Sequence, residues 1–264
     1  MKKILASVAS IALVLCLSAC GAGAPSGSSK PDYADDEVMT SIAQGLENRF
    51  DAADKHDATG AKTDADYYAS LINEELDQIL PYRDRKFEDP DLQEAVLSYA
   101  NLLEDALELT ETYPVDSTEF YEKWTELYDE RTVQLQQFVN DYGLTVDDSH
   151  QDTLDELLIN ANAVTQRTET EDAVNALANS IVFEQQDEGY GSYTYTATVQ
   201  NTSGMDFGNF SLVLALYDAD GVRAEETYAS VSSWANGETV RFEAYGTTDA
   251  AQIKASVNYY EVDD

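Results

Sequence analysis

Phe210-Ser211-Leu212-Val213-Leu214-Ala215-Leu216 sets large apolar residues at every second position. A period of two is that of a half-buried β-strand, whose successive side chains point to opposite faces. Three further runs share it. Tyr193, Tyr195, Ala197 and Val199 alternate with threonines, Val240, Phe242 and Ala244 repeat the pattern, and Ile253, Ala255, Val257 and Tyr259 end the chain. Turn-forming residues separate them: Asn201-Thr202-Ser203-Gly204, Asp218-Ala219-Asp220-Gly221 and Asn236-Gly237. Short strands at this spacing predict a small β-sandwich over 181–264.

Upstream of Ile181 the period is 3.6, so the chain divides into an α part and a β part. Val38, Ile42, Leu46, Phe50 and Ala53 mark a first helix from about Asp35 to Lys55, with a break over 57–63 that places His56 in a loop. Thr63-Asp64 can cap a second helix, with Tyr67, Leu71, Ile72, Leu76, Ile79 and Leu80 inward and Pro81 ending or kinking it. Asp89-Pro90 opens a third, lined by Leu92, Val96, Tyr99, Leu103 and Ala106. Ser117 opens a fourth, with Phe120, Trp124, Leu127, Tyr128, Leu135 and Phe138 inward and Gly143 at its end. Ser149 is the expected cap of a last stretch led by Leu154, Leu157 and Ala161 and resumed by Val174 and Leu177, with polar Gln166–Thr170 as an expected interruption. Short connections favour antiparallel neighbours. The predicted fold is therefore multidomain α and β: an antiparallel helical bundle over 35–180, then the sandwich. Trp124 and the tyrosines read as core packing. An aromatic-lined groove between the helices lacks, in the sequence, a polar constellation to support it.

The N-terminus carries Lys2 and Lys3 and then an apolar run of about 14 residues, short of the ~20 that a spanning helix needs. This is the form of a secretory signal over 1–19. Leu17-Ser18-Ala19-Cys20, with Gly21 following, resembles the lipobox of bacterial lipoproteins. The resemblance implies cleavage before Cys20 and a diacylglyceryl group on its sulfur. An ordinary signal peptide with a chance cysteine is the alternative. Residues 20–34 are rich in Gly, Ala, Pro and Ser at their start and read as a flexible tether.

Charge bounds the partners. The chain has 51 Asp and Glu against 15 Lys and Arg, a formal net charge of −36. Loss of Lys2 and Lys3 with the signal would make it more negative still. Such a field argues against nucleic acid, whose binders are basic, and against lying flat on an anionic bilayer. Solubility accounts for most of the acid, and the acidic faces can also attract divalent cations diffusely. With Cys16 in the signal and Cys20 lipidated, no disulfide is expected.

Leu214-Ala215-Leu216-Tyr217-Asp218, followed by Ala219-Asp220-Gly221, resembles the FxLYD domain, an immunoglobulin-like module of exported Gram-positive proteins. Val199-Gln200-Asn201-Thr202-Ser203 is similar to that family's strand end. Asn236-Gly237-Glu238 stands where the family has Pro-Gly-Glu, and Tyr259 falls in its closing strand. Leu214 replaces the eponymous Phe. The resemblance covers 181–262 and implies a fold without catalytic residues.

No motif for chemistry stands out. Asp218–Gly221 looks like part of a calcium loop, but an EF-hand register would put Leu216 at its first position and Thr227 at its twelfth. His56 and His150 are the only histidines, without metal-ligand spacing. No metal, cofactor or catalytic residue is expected. The leading expectation is a membrane-anchored, non-enzymatic binding or spacer module of a Gram-positive cell envelope, meeting an envelope protein or polymer. A lipoprotein receptor for uptake or sensing is the alternative, as is an envelope hydrolase using paired carboxylates.

Overall fold

A computed structural model describes residues 32–263. The expected signal, Cys20 and most of the tether lie outside the described residues. The packed chain begins at Ala34, which is fully buried and donates its N–H to Lys86 O.

Five helices come first: α1 (Asp35–Thr59), α2 (Ala65–Ile79), α3 (Pro90–Thr112), α4 (Thr118–Tyr142) and α5 (Gln151–Ser180). Each packs against the next. The caps expected at Asp89 and Ser117 are present, and of the Thr63-Asp64 pair it is Asp64 that caps α2; each side chain accepts N–H bonds from the first turn. Gly60 and Gly143 end α1 and α4 in the left-handed conformation that favours glycine. Here α1 runs about one turn further than its apolar stripe suggests, so His56 is helical rather than in a loop. Its ring stacks on Tyr67 at 3.7 Å, which holds that last turn against α2.

The helix start expected at Ser149 differs. A short 3-10 turn, Asp148–His150, precedes α5, and no side chain caps it. The interruption expected at 166–170 is also absent: α5 is continuous for 30 residues. Its middle is polar but holds neither Gly nor Pro, and polarity alone does not break a helix. Asn160 and Arg167 tie it to Asp129 on α4 at 3.2 and 2.8 Å.

Two antiparallel three-stranded sheets follow. One has the order β1-β2-β5, built from β1 (Glu184–Gly189), β2 (Ser192–Gln200) and β5 (Thr239–Gly246); the other is β4-β3-β6, from β4 (Arg223–Val231), β3 (Phe207–Tyr217) and β6 (Gln252–Val262). Together they form a β-sandwich. Phe210, Leu212, Leu214 and Leu216 are fully buried, as their alternation requires. Around them Trp234 meets Phe210 and Phe242 edge-on, both at 5.2 Å. Edge-to-face pairs of this kind add ~0.5–1.5 kcal/mol beyond their buried area.

Two inward assignments are reversed. Leu80 lies past the end of α2, in the 3-10 turn Leu80–Tyr82 that Pro81 favours, and is exposed. The other is in β6, which changes phase. Ser211 pairs with Tyr259 but Leu212 pairs with Val257, so Asn258 is an extra residue in β6. This bulge flips the phase of the strand. Tyr260 therefore packs on the core and Tyr259 is exposed.

The two cores meet in α5. Leu157 belongs to the core of the bundle, whereas Val174, Leu177 and Ala178 pack with Ile181, Phe183 and the sandwich interior.

Candidate functional site

The most unusual chemistry among the described residues lies inside the bundle, where four helices each contribute one polar side chain. Glu75 of α2 is buried at the centre, at 1% exposure. Its Oε1 accepts from Arg49 Nη1 of α1 at 2.6 Å and from Arg131 Nη2 of α4 at 2.7 Å. Its Oε2 accepts from Arg131 Nε at 3.2 Å and from the Tyr99 hydroxyl of α3. The carboxylate thus uses four acceptor positions, its full capacity.

The backbone makes room for this. Gly45 on α1 faces α2 so closely that a Cβ there would stand 2.9 Å from Glu75 Cα. The missing side chain lets the two helices approach and brings Arg49, one turn on, within reach of the carboxylate.

Electrostatics follow from position. Burial alone would push the Glu75 carboxyl up, but the Arg131 and Arg49 charges, with hydrogen bonds from Tyr99 and Arg131, outweigh it and hold it below its ordinary value. Burial, reinforced by the neighbouring Glu75 charge, raises the Tyr99 phenol and keeps it neutral. Burial alone would lower Arg131, but the Glu75 charge, Tyr99 and the hydrogen bonds to Glu75 together outweigh it and raise it. Arg49 is lowered, by burial first and by repulsion from Arg131 second. It remains a cation at neutral pH, as arginine does. Two guanidiniums against one carboxylate leave one positive charge in excess.

Beside the cluster is a small cavity. Arg49 and Arg131 line it together with Ile72, Leu103, Trp124 and Tyr128. Its volume is about 20 Å³ for water centres, room for roughly one water-sized occupant. Trp124 stacks on Phe120 at 5.6 Å and leans on Tyr68 at 4.6 Å. The aromatic residues between the helices therefore do have a polar constellation beside them, contrary to the reading of the sequence.

That constellation was detectable. Glu75 falls three or four residues from Leu71, Ile72 and Ile79, in the middle of the apolar stripe of α2. Arg131 stands in the same relation to Leu127, Tyr128 and Leu135 on α4. A charge at a core position of one helix calls for an opposite charge on another. Periodicity read only from apolar residues passes over it.

The other residues singled out in the sequence are placed as follows. Cys20 lies outside the described residues. Asp218 spends its carboxylate on its own turn, accepting from Asp220 N at 3.0 Å and Val222 N at 2.9 Å. Asn201 is buried and knits three segments: its Nδ2 donates to Met205 O and Trp234 O, and its Oδ1 accepts from Ser203 N. His150 bonds Asp51 at 3.0 Å, separately from His56. Among the described residues no group of three or more His, Cys, Asp and Glu could hold a metal ion. None of the described helices is long and apolar enough to cross a membrane. No family model matches the chain, and no curated protein matches it.

Proposed function

We propose that this chain is an extracytoplasmic lipoprotein of a Gram-positive cell envelope, anchored through lipid on Cys20, that holds a stiff two-part module off the membrane and performs no catalysis. The observation that carries the reading is α5. One face of its first half, at Leu154, Leu157 and Ala161, is buried on the bundle side and one face of its last two turns packs into the sandwich, with no loop between. A helix of 30 residues is about 45 Å long. A flexible linker would suit two independent binders, whereas a shared helix suits a spacer that holds what it carries at a fixed reach.

What it would carry is the sandwich, which we read as FxLYD-like and immunoglobulin-like. Leu214–Asp218 form the end of β3 and its turn, and Asn201 and Gly237 brace each other through Gly237 N and Asn201 O at 2.8 Å. On the outer face of the β4-β3-β6 sheet, Tyr228 lies opposite Val213 and Tyr259 opposite Ser211. Both tyrosines are more than half exposed. This face is where an envelope protein or polymer would rest.

The test is fractionation of cells expressing the wild type and Cys20→Ala, with external protease on intact cells. The wild type should stay with the membrane and be cut from outside. The variant should be released or retained as an uncleaved precursor lacking lipid. A variant that has lost its signal, carries no lipid and is still held as firmly as wild type, or a wild type protected from external protease, overturns the proposal.

A further inference from the structure

We propose that the cavity beside Arg49 and Arg131 binds a small monovalent anion of about the size of chloride. Three observations converge on it. The first is charge. Glu75 is one carboxylate shared by two guanidiniums, so the cluster keeps one positive charge in excess. A buried charge without compensation is costly, and a structure that keeps one commonly supplies a counter-charge.

The second is donors. Among the described residues, Arg49 donates only through Nη1, and Arg131 only through Nε and Nη2. Two nitrogens of Arg49 and one of Arg131 are left without an acceptor in the protein. Both side chains are nearly buried, at 12% and 7% exposure, yet none of these three nitrogens is sealed from solvent, so they remain reachable as donors to a small solute. The third is space. The cavity that both arginines line takes one water-sized occupant, and its remaining walls are apolar or aromatic.

Those constraints select the occupant. Water fits but cancels no charge. Phosphate and sulfate are too large and carry two charges against a surplus of one. A long-chain carboxylate has no room for its chain. A single small anion meets the size, the charge and the free donors at once. The acidic surface opposes it only weakly, because exposed charges beyond ~8 Å are largely screened at physiological salt.

The experiment melts the whole chain in sodium chloride, formate and gluconate at matched ionic strength, followed by helical circular dichroism. Matching removes the general screening of the acidic surface, and gluconate is too bulky to enter. Chloride should raise the melting temperature above gluconate by a few degrees, with saturation, as ligand binding to the folded state requires. Formate raising it similarly supports the same size-limited site. Arg49→Gln removes the surplus charge while leaving Glu75 bonded to Arg131 and Tyr99. Ala106→Leu fills the cavity and leaves all four polar residues in place. Both variants should lose the chloride-specific rise. If Arg49→Gln does not fold, Ala106→Leu and chloride-35 line broadening on the wild type decide the matter. Equal melting in chloride and gluconate, or a difference that survives in every folded variant, overturns the site and leaves a water-filled cavity.

Discussion

The bundle and the sandwich bury similar kinds of apolar surface but specify their interiors by different means. The bundle places an ionic network at its centre, with one member from each of four helices. The sandwich uses shape: Trp234, Phe207, Phe210 and Phe242 interlock edge to face, and its buried polar residues include Asn201 and Thr194, both uncharged. Helices with similar apolar stripes can slide or exchange neighbours, and directional bonds to one carboxylate remove that freedom. Strands are already registered by their backbone ladders and need no such lock. We therefore regard the network as a device for fixing which helices meet, an idea that the variants below test.

The largest effect should come from breaking the lock. Arg131→Met leaves Glu75 with two of its four hydrogen bonds and should cost about 3–5 kcal/mol in bundle stability, measured by denaturant unfolding. Replacing Arg49, Glu75 and Arg131 together by Met, Leu and Met should restore much of that loss. If the triple variant also keeps sharp, cooperative unfolding, the network does not act as a specificity device. Acid probes the same bonds. Because the Glu75 carboxyl is held low in the folded state, its stabilisation is present above its unfolded value, near 4.5, and is lost as pH falls through the folded value. The helical signal should weaken over that range in the wild type, and a Glu75→Gln variant should show a flatter pH profile there.

Next comes the place where the two regions join. Leu177→Ala, although on a helix, should destabilise the sandwich by about 2–4 kcal/mol, as truncation of a buried leucine does. A fragment beginning at Ile181 should accordingly melt well below one beginning at Thr170. Equal melting of the two fragments would return the helix end to the bundle alone.

Gly45→Ala sets local propensity against packing. Alanine favours helix over glycine by ~1 kcal/mol, yet its Cβ would stand 2.9 Å from the backbone of α2. We expect overpacking to win, with a net loss of about 1 kcal/mol, and a more stable variant would show that α1 can retreat without harm. The smallest change is a gain. Tyr190 and Gly191, both at positive φ, form the two-residue turn of the β1–β2 hairpin. Tyr190→Asn gives the turn its preferred sequence and should add about 0.5–1 kcal/mol to the sandwich. Loss of stability instead would mean that the fully exposed tyrosine contributes a contact.

The division into helices and strands was legible because burial imposes a period on the sequence, and five helix stripes and four of the six strands follow it. Short β1 was not, since Glu184–Gly189 is polar and mostly exposed. Nor was β4, where Glu225 stands at an inward position opposite Leu216 and Tyr228 at an outward one, so the alternation is blurred. The phase flip at Asn258 was illegible for a related reason: a bulge is a property of two paired strands, and one strand does not record it. The ionic cluster fell between these cases. Its members stand at core positions of their own helices, but their meeting depends on how four helices are arranged around one point.

The unbroken run of α5 makes orientation a matter of counting residues. Each residue added between Thr165 and Asp172 would advance the sandwich about 1.5 Å and turn it by about 100° around the helix axis. Two added turns, seven residues, would lengthen the reach by about 10 Å and nearly restore the facing. Insertions of three or four would leave the Tyr228 and Tyr259 face close to its original bearing, and insertions of two or five would swing it to the far side. The helix is therefore a setting dial as well as a strut, and its length fixes which way the module looks.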